Sequence, residues 1–315
     1  MIIGSNVFTK KKFKVIICGS GPAGISLALD LEKNKIDCLI IESGDKFYTE
    51  KAQKRYEGDV TGNFPDNLSE LRLSQFGGTS GHWGGTCGVL DNYDFKKWPI
   101  NKIDLDPFLD DSCKILNIKN QFREKEIADD LKIIEFKKSD VTFFDKYFEH
   151  IKKSKYINLA LNSSIFGVKT EDGRVKQIII KSEVINYIDT NILVLACGGI
   201  ENSRLLLWFR ENNNSISNKM PIGNFWMEHP FKVIGTGVGN FKKIKNFFYN
   251  EFDSFYNFRN WGNFTVSVSP TEKAIQKKKI LNSCAFLTIH DRDNQNIKDT
   301  LKDLLCVAPK ISTKM

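Results

Sequence analysis

Residues 14–42 constrain this chain more than any other stretch. Lys14-Val15-Ile16-Ile17-Cys18 is a short β-branched apolar run, the pattern of a parallel strand buried on both faces. Gly19-Ser20-Gly21-Pro22-Ala23-Gly24 follows, with glycine at the three positions that a phosphate-binding turn requires. The first glycine makes the tight turn, the second lets backbone touch a pyrophosphate, and the third lets the next helix pack closely on the strand. Ala23, Leu27, Ala28 and Leu31 fall on one face of a helix predicted from Pro22 to about residue 34, with Pro22 in its first turn. Free N–H groups and the positive dipole end at that helix start suit a phosphate. A second apolar run, Cys38 to Ile41, closes on Glu42, where a carboxylate can accept hydrogen bonds from an adenosine ribose. Strand, glycines, helix, strand and acid in this order predict a dinucleotide-binding βαβ unit. The bland alternative is a tight turn in an ordinary α/β protein, and the unit does not choose FAD over NAD.

A second glycine-rich stretch runs Phe76-Gly77-Gly78-Thr79-Ser80-Gly81-His82-Trp83-Gly84-Gly85. Such density excludes a stable helix or strand interior and lets backbone approach a flat ligand closely. Thr79, Ser80, His82 and Trp83 add polar and aromatic contacts. A flexible surface linker is the competing reading, but linkers are built from small residues, and His82 and Trp83 are not small.

Along the chain, residues 45–75 are polar with turn signals and predict an irregular excursion with at most a short helix. Residues 91–116 carry a helical pattern, and the charged residues 120–155 are expected to be further helix and loop. Residues 158–161 and 164–168 read as a strand pair. Asp172-Gly173 then predicts a hairpin leading into residues 175–180 and 184–188, an antiparallel meander inserted in the nucleotide domain. Phe166, on that meander, is either an adenine-packing residue or an ordinary core phenylalanine. Ile192 to Ala196 repeats the opening logic as a buried strand beside the first. Cys197-Gly198-Gly199 makes a turn, and residues 201–209 a helix, with Gly198 and Gly199 admitting either the cofactor or the first helix. From about Phe231 the pattern becomes alternating, β-rich and aromatic.

The expected fold class is α/β, a Rossmann-like parallel sheet with an inserted antiparallel meander plus a partial antiparallel α+β domain. The division expected is residues 1–230 (core 13–100 and 156–230, with an insertion over 101–155) and residues 231–315. With 315 residues and 41% hydrophobic content the chain can bury a sizeable core. A net charge of +8, with lysines spread and no aromatic-interleaved basic stripe, argues against a nucleic-acid partner. The seven cysteines have no metal-like spacing, so no metal is expected; Cys18, Cys38 and Cys197 read as small buried hydrophobes of a reducing compartment. No signal peptide or transmembrane run is expected, which makes the cytoplasm the default location.

Four stretches in this order resemble the glucose–methanol–choline family of FAD oxidoreductases. They are residues 18–24 with Glu42, residues 77–85, residues 195–207 (Leu-Ala-Cys-Gly-Gly-Ile-Glu-Asn-Ser-Arg-Leu-Leu-Leu), and Gly223 to Pro230. Trp98-Pro99-Ile100 with Leu105-Asp106-Pro107 is also similar to a family segment. The wording around Thr79 to Trp83 is nearest the pyranose oxidase and sugar dehydrogenase branch. There the matching histidine carries the flavin covalently, which implies that His82 lies near the ring. The resemblance implies FAD as cofactor, an alcohol or sugar as substrate and hydride transfer from a CH–OH group to flavin N5. It also implies Gly19, Ser20, Gly21, Pro22, Ala23, Gly24, Glu42, Gly77, Gly78, Thr79, His82, Trp83, Gly84, Phe166, Ala196 and Gly198 as cofactor contacts. The family's closing histidine pair has no match here: the surroundings of His290 differ, His229 before Pro230 reads as structural, and no catalytic base is assigned. That absence leaves three expectations open. They are an FAD-dependent dehydrogenase or oxidase, a truncated or non-catalytic FAD-binding chain with a partner at its open sheet, and an NAD-dependent dehydrogenase. The electron acceptor is not legible.

Overall fold

The first apolar run forms its strand because all four residues, Val15, Ile16, Ile17 and Cys18, leave water. The computed structural model of the protein describes residues 2–3, 12–61, 68–212, 216–227, 232–235, 243, 246 and 266–286. In chain order it contains β1 (Ile2–Ile3), β2 (Val15–Cys18), α1 (Pro22–Lys33), β3 (Cys38–Ile41), α2 (Glu50–Gln53) and β4 (Thr86–Cys87). There follow α3 (Lys102–Leu105), α4 (Leu109–Ile115), β5 (Glu124–Ala128), β6 (Leu131–Glu135), β7 (Lys137–Lys138) and α5 (Phe143–Lys153). Next come β8 (Ile157–Ala160), β9 (Ser164–Glu171), β10 (Arg174–Lys181), β11 (Ile185–Asp189), β12 (Leu193–Leu195) and α6 (Gly199–Asn212). The described part closes with β13 (Val266–Pro270), a helix over Glu272–Lys278 and β14 (Ala285–Phe286).

Five strands make a wholly parallel sheet in the order β1-β8-β3-β2-β12. Setting aside the two-residue β1, the strands lie third, second, first, fourth, so the order reverses between β2 and β12. That reversal is the topological switch point at which doubly wound sheets bind ligands. Alternate residues of the strands feed two cores. On one face Ile17, Ile25, Ala28, Ile40, Leu159, Phe143, Phe148 and Ile151 pack with α1 and α5. On the other, Ile16, Leu39, Ile41, Ile178, Ile180, Leu205 and Phe209 pack with the meander and α6. Apolar demand on both faces explains why these strands read as unbroken hydrophobic runs.

The meander β11-β10-β9 forms a separate antiparallel sheet, its hairpin turned by Asp172 (φ 50°) and Gly173 (φ 72°) as the sequence predicts. Two expectations are corrected. Residues 157–160 and 164–171 do not pair: β8 joins the parallel sheet beside β3 because Ile157, Leu159 and Ala160 are all buried there, whereas β9 pairs β10. Residues 120–155 are not only helix and loop, since β5 and β6 lie within them. In β6 the buried positions include Lys132 and Glu135, and these charges hide the strand pattern.

The chain divides into two compact units, residues 1–85, 115–117 and 140–233, and residues 86–114, 118–139 and 234–315. The second holds the antiparallel sheet β14-β13-β6-β5. Antiparallel strands expected after Phe231 thus appear at 266–270 and 285–286, but they do not form a sheet alone: β14 pairs with β13, and β13 pairs with β6. Phe231, residues 236–240, 264–265 and 287–289 lie outside the described residues. Among the described residues no helix is long and apolar enough to cross a membrane.

Candidate functional site

The site is built at the carboxyl ends of β2 and β12, the two strands that flank the switch point. Gly19 leaves β2 with φ +102°, its N–H donating to the Ile41 carbonyl at 2.8 Å. A Cβ there would stand 2.6 Å from the Ala196 carbonyl oxygen, so only glycine lets the turn run under the end of β12. A Cβ on Gly24 would stand 2.0 Å from the Gly19 carbonyl oxygen, which is the close helix-to-turn approach that the spacing predicts. Gly21 differs, because a Cβ there meets nothing within 4 Å and that side of the loop is open. Gly21 is the N-cap of α1, Pro22 opens the helix, and no side chain caps it. An open glycine face on an uncapped helix start is the arrangement that accepts a phosphate.

Glu42 lies behind this turn and is 6% exposed. Its Oε2 accepts from the Ser20 hydroxyl at 2.7 Å and the Ser20 N–H at 3.1 Å, and its Oε1 accepts from the Gly44 N–H at 2.7 Å. Burial pushes the Glu42 carboxyl above its ordinary range, against the pull of these hydrogen bonds and of the Arg55 charge. A carboxylate offers about four acceptor directions; among the described residues three are filled, and one on Oε1 remains. Glu42 therefore braces the glycine turn from within.

The second glycine stretch meets the first directly. The Gly77 N–H donates to the Ser20 carbonyl at 3.0 Å, and a Cβ on Gly78 would lie 3.0 Å from the Gly21 Cα. Residues Gly78–Gly81 form one turn of 3₁₀-helix, which the glycine content had argued against. The turn persists because Ser80 is buried, its hydroxyl donating to the Gly77 carbonyl at 2.7 Å and accepting from the Phe143 N–H at 3.0 Å. Trp83 donates from Nε1 to the Val141 carbonyl at 3.1 Å and sets its ring edge against Phe143. The stretch is anchored at both ends and is no linker. Thr79, His82 and Gly84 are exposed on it.

After β12, Ala196 donates its N–H to the Cys18 carbonyl at 2.8 Å, and Gly198 is exposed at the turn. Asn202, in the first turns of α6, accepts from the Cys197 N–H at 2.9 Å and donates to the Leu195 carbonyl at 3.2 Å. Phe166 is 45% exposed on β9 beside Trp208, whose Nε1 donates to the Phe166 carbonyl at 2.9 Å. The alternative of an ordinary core phenylalanine is therefore wrong. Sequence reading missed an ionic cluster in which Glu201 pairs Arg204 at 2.6 Å and Arg72 at 3.6 Å, with Arg72 over the Tyr56 ring. The Glu201–Arg204 spacing of three was a usable signal; nothing in sequence tied Arg72 to it.

Two side-chain clefts lie elsewhere. One, lined by Glu32, His150, Ser154 and Tyr156, is at the opposite end of α1 from Gly21; the other, lined by Asn92, Phe95 and Ile103, belongs to the second unit. In the first, Glu32 is held by hydrogen bonds with His150 and Ser154. His229 and His290 lie outside the described residues, and among the described residues no cluster of metal-ligating groups occurs.

No family model and no curated protein matches the chain. Among solved structures it is similar to pyridoxine 4-oxidase from Mesorbium loti at 14% identity and TM-score 0.45, covering 61% of this chain and 50% of that one. It is similar to formate oxidase at 15% identity and TM-score 0.44 (64% and 48% covered), and to a fungal aryl-alcohol oxidase at 11% and 0.43 (62% and 47% covered). The chain thus spans about half the length of these structures. In the wording of residues 18–24, 77–85 and 195–207, the sequence resembles the glucose–methanol–choline family of FAD oxidoreductases.

Proposed function

We propose that this chain binds FAD and serves an oxidoreductase that takes hydride from a CH–OH group of an alcohol or sugar. One observation carries the reading: two glycine segments, Gly19–Gly24 and Gly77–Gly78, meet backbone to backbone at an open switch-point edge braced by Glu42. An ordinary turn needs no second glycine segment lying against it; a ligand with a pyrophosphate and a flat ring system does. The open side of Gly21 and the start of α1 would hold the pyrophosphate, and the free acceptor direction of Glu42 the ribose. Thr79, His82 and Trp83 would line the ring, with Ala196 and Gly198 closing the edge. The flavin, when bound, supplies the redox step, while the chain orients it and excludes water.

The test is reconstitution with FAD. The protein is expected to become yellow, and Glu42→Ala to weaken FAD binding by about 1.5–3 kcal/mol, the scale of hydrogen bonds to a charged group. Because Glu42 also braces Ser20 and Gly44, Glu42→Gln, which keeps a carbonyl acceptor, is run beside it and is expected to lose less. Acid precipitation of the loaded protein then reports on His82: flavin retained in the pellet, and released in His82→Ala, marks a covalent link. A protein that takes up NAD and refuses FAD would overturn the proposal.

A further inference from the structure

The switch point also holds a pair of sulfurs that nucleotide binding does not use. Cys18 is the last residue of β2, and Cys197 lies in the turn that follows β12. Their Sγ atoms are 3.2 Å apart, and the Cys197 thiol donates to the Cys18 carbonyl at 3.0 Å. Distant in sequence by 179 residues, they are brought together only because β12 returns beside β2. The Cys197 backbone is held in place by Asn202 through its N–H. Cys18 is 6% exposed and belongs to the core that includes Ile16 and Leu39, whereas Cys197 is partly exposed beside Gly198.

We infer that Cys18 and Cys197 are a thiol–disulfide couple, oxidised by a peroxide to a bond that staples β2 to the turn after β12 across the switch point. A disulfide needs its sulfurs about 2.05 Å apart, so each side chain moves by roughly half an ångström to an ångström. Cys197, the more exposed sulfur, meets the oxidant first. Its thiolate attacks one peroxide oxygen, the O–O bond breaks, and the second oxygen leaves as water with a proton from solvent, leaving a sulfenic acid on Cys197. The Cys18 sulfur then attacks the Cys197 sulfur, and the sulfenic oxygen departs as a second water carrying the Cys18 thiol proton. Two thiols lose two hydrogens in all, and one peroxide is reduced to two waters. The hydrogen bond with Cys197, then burial, then the charge of Cys197 and after it those of Glu42 and Glu201 hold the Cys18 thiol well above its ordinary range. Cys18 is therefore the resolving partner, waiting as a thiol. The competing account is two small hydrophobes in van der Waals contact, which peroxide would leave unlinked. The inference stands on the two sulfurs and is independent of which nucleotide the edge binds.

The experiment uses the full chain, reduced, freed of reductant, treated with hydrogen peroxide and then denatured in an alkylating agent. Non-reducing digestion and mass spectrometry are expected to show the Cys18 and Cys197 peptides joined, two hydrogens lighter than their sum, and separated again by a thiol reductant. Cys38, buried in the neighbouring strand, is the internal control and is expected to remain alkylated. In Cys197→Ser the joined peptide is expected to vanish and Cys18 to be fully alkylated. The inference is overturned if both sulfurs are alkylated after peroxide, if Cys197 is found as sulfinic acid with Cys18 free, or if Cys18 pairs with a different cysteine.

Discussion

Gly24 shows how much one hydrogen atom in place of a methyl group can decide. Alanine normally stabilises a helix relative to glycine by about 1 kcal/mol. Here the methyl would stand 2.0 Å from the Gly19 carbonyl oxygen and 3.3 Å from the Ile17 side chain. The backbone oxygen belongs to the turn itself and cannot rotate away, so helix and turn must separate. Gly24→Ala is expected to destabilise the first unit by about 1–3 kcal/mol, the range for forced overpacking, measured as a lower denaturation midpoint. A midpoint equal to or above that of the native chain would mean that α1 does not press on the turn as described. The three glycines were legible in sequence because each answers a local steric demand. The bracing of Ser20 by Glu42 was not, because a hydrogen bond across 22 positions leaves no periodic trace.

At the scale of elements, the edge depends on how the chain leaves β12. Asn202 clamps that exit from two sides, accepting from Cys197 and donating to Leu195. Asn202→Ala removes both bonds and leaves the Cys197 N–H without its acceptor. It is expected to cost about 1–3 kcal/mol locally, read as faster hydrogen exchange at the Cys197 amide while the amides of β2 stay protected. Exchange at Cys197 unchanged by the substitution would show that Asn202 does not hold the turn. Helix α5 illustrates the converse, an element legible in outline yet hidden within a charged run. Phe143, Tyr147, Phe148 and Ile151 make one buried stripe, and Thr142 caps the helix by accepting from the Asp145 N–H. Strands β5 and β6 escaped notice because Lys132 and Glu135 are buried in β6, each matched by charged partners that a strand pattern does not anticipate. Lys132 reaches Asp91 and Glu124, and Glu135 is held by Arg123 and Lys137.

Across the whole molecule the two units carry buried carboxylates of opposite character. In the first, burial raises Glu42, so whatever stability it contributes is complete below the unfolded pKa and is lost as pH rises through the folded one. In the second, burial opposes ionisation of Glu135, but the hydrogen bonds from Arg123 and Lys137 overcome it and hold the carboxyl below its ordinary range. Its contribution is present above the unfolded value of about 4.3 and is lost as pH falls through the folded value. Glu135→Gln is therefore expected to lower the denaturation midpoint most at neutral pH, with the gap to the native chain narrowing below about pH 4. A gap that is constant with pH would place the Glu135 effect in packing rather than charge.

What the sequence by itself determined is local: the βαβ unit of residues 14–42, the Asp172-Gly173 hairpin, a strand within residues 192–196 and the need for backbone freedom at residues 77–85. Each follows from steric limits or hydrophobic periodicity acting over a few residues. Tertiary structure decided everything that joins distant positions. It sent β8 into the parallel sheet instead of a hairpin, since a strand apolar on both faces is stable only when covered twice. It laid Gly77 on Ser20, filled most of the Glu42 carboxylate, and paired β13 with β6. It also set Cys18 against Cys197. Contacts of this kind are selected by burial and by the satisfaction of polar groups in three dimensions, and neither constraint has a period that a linear reading can detect.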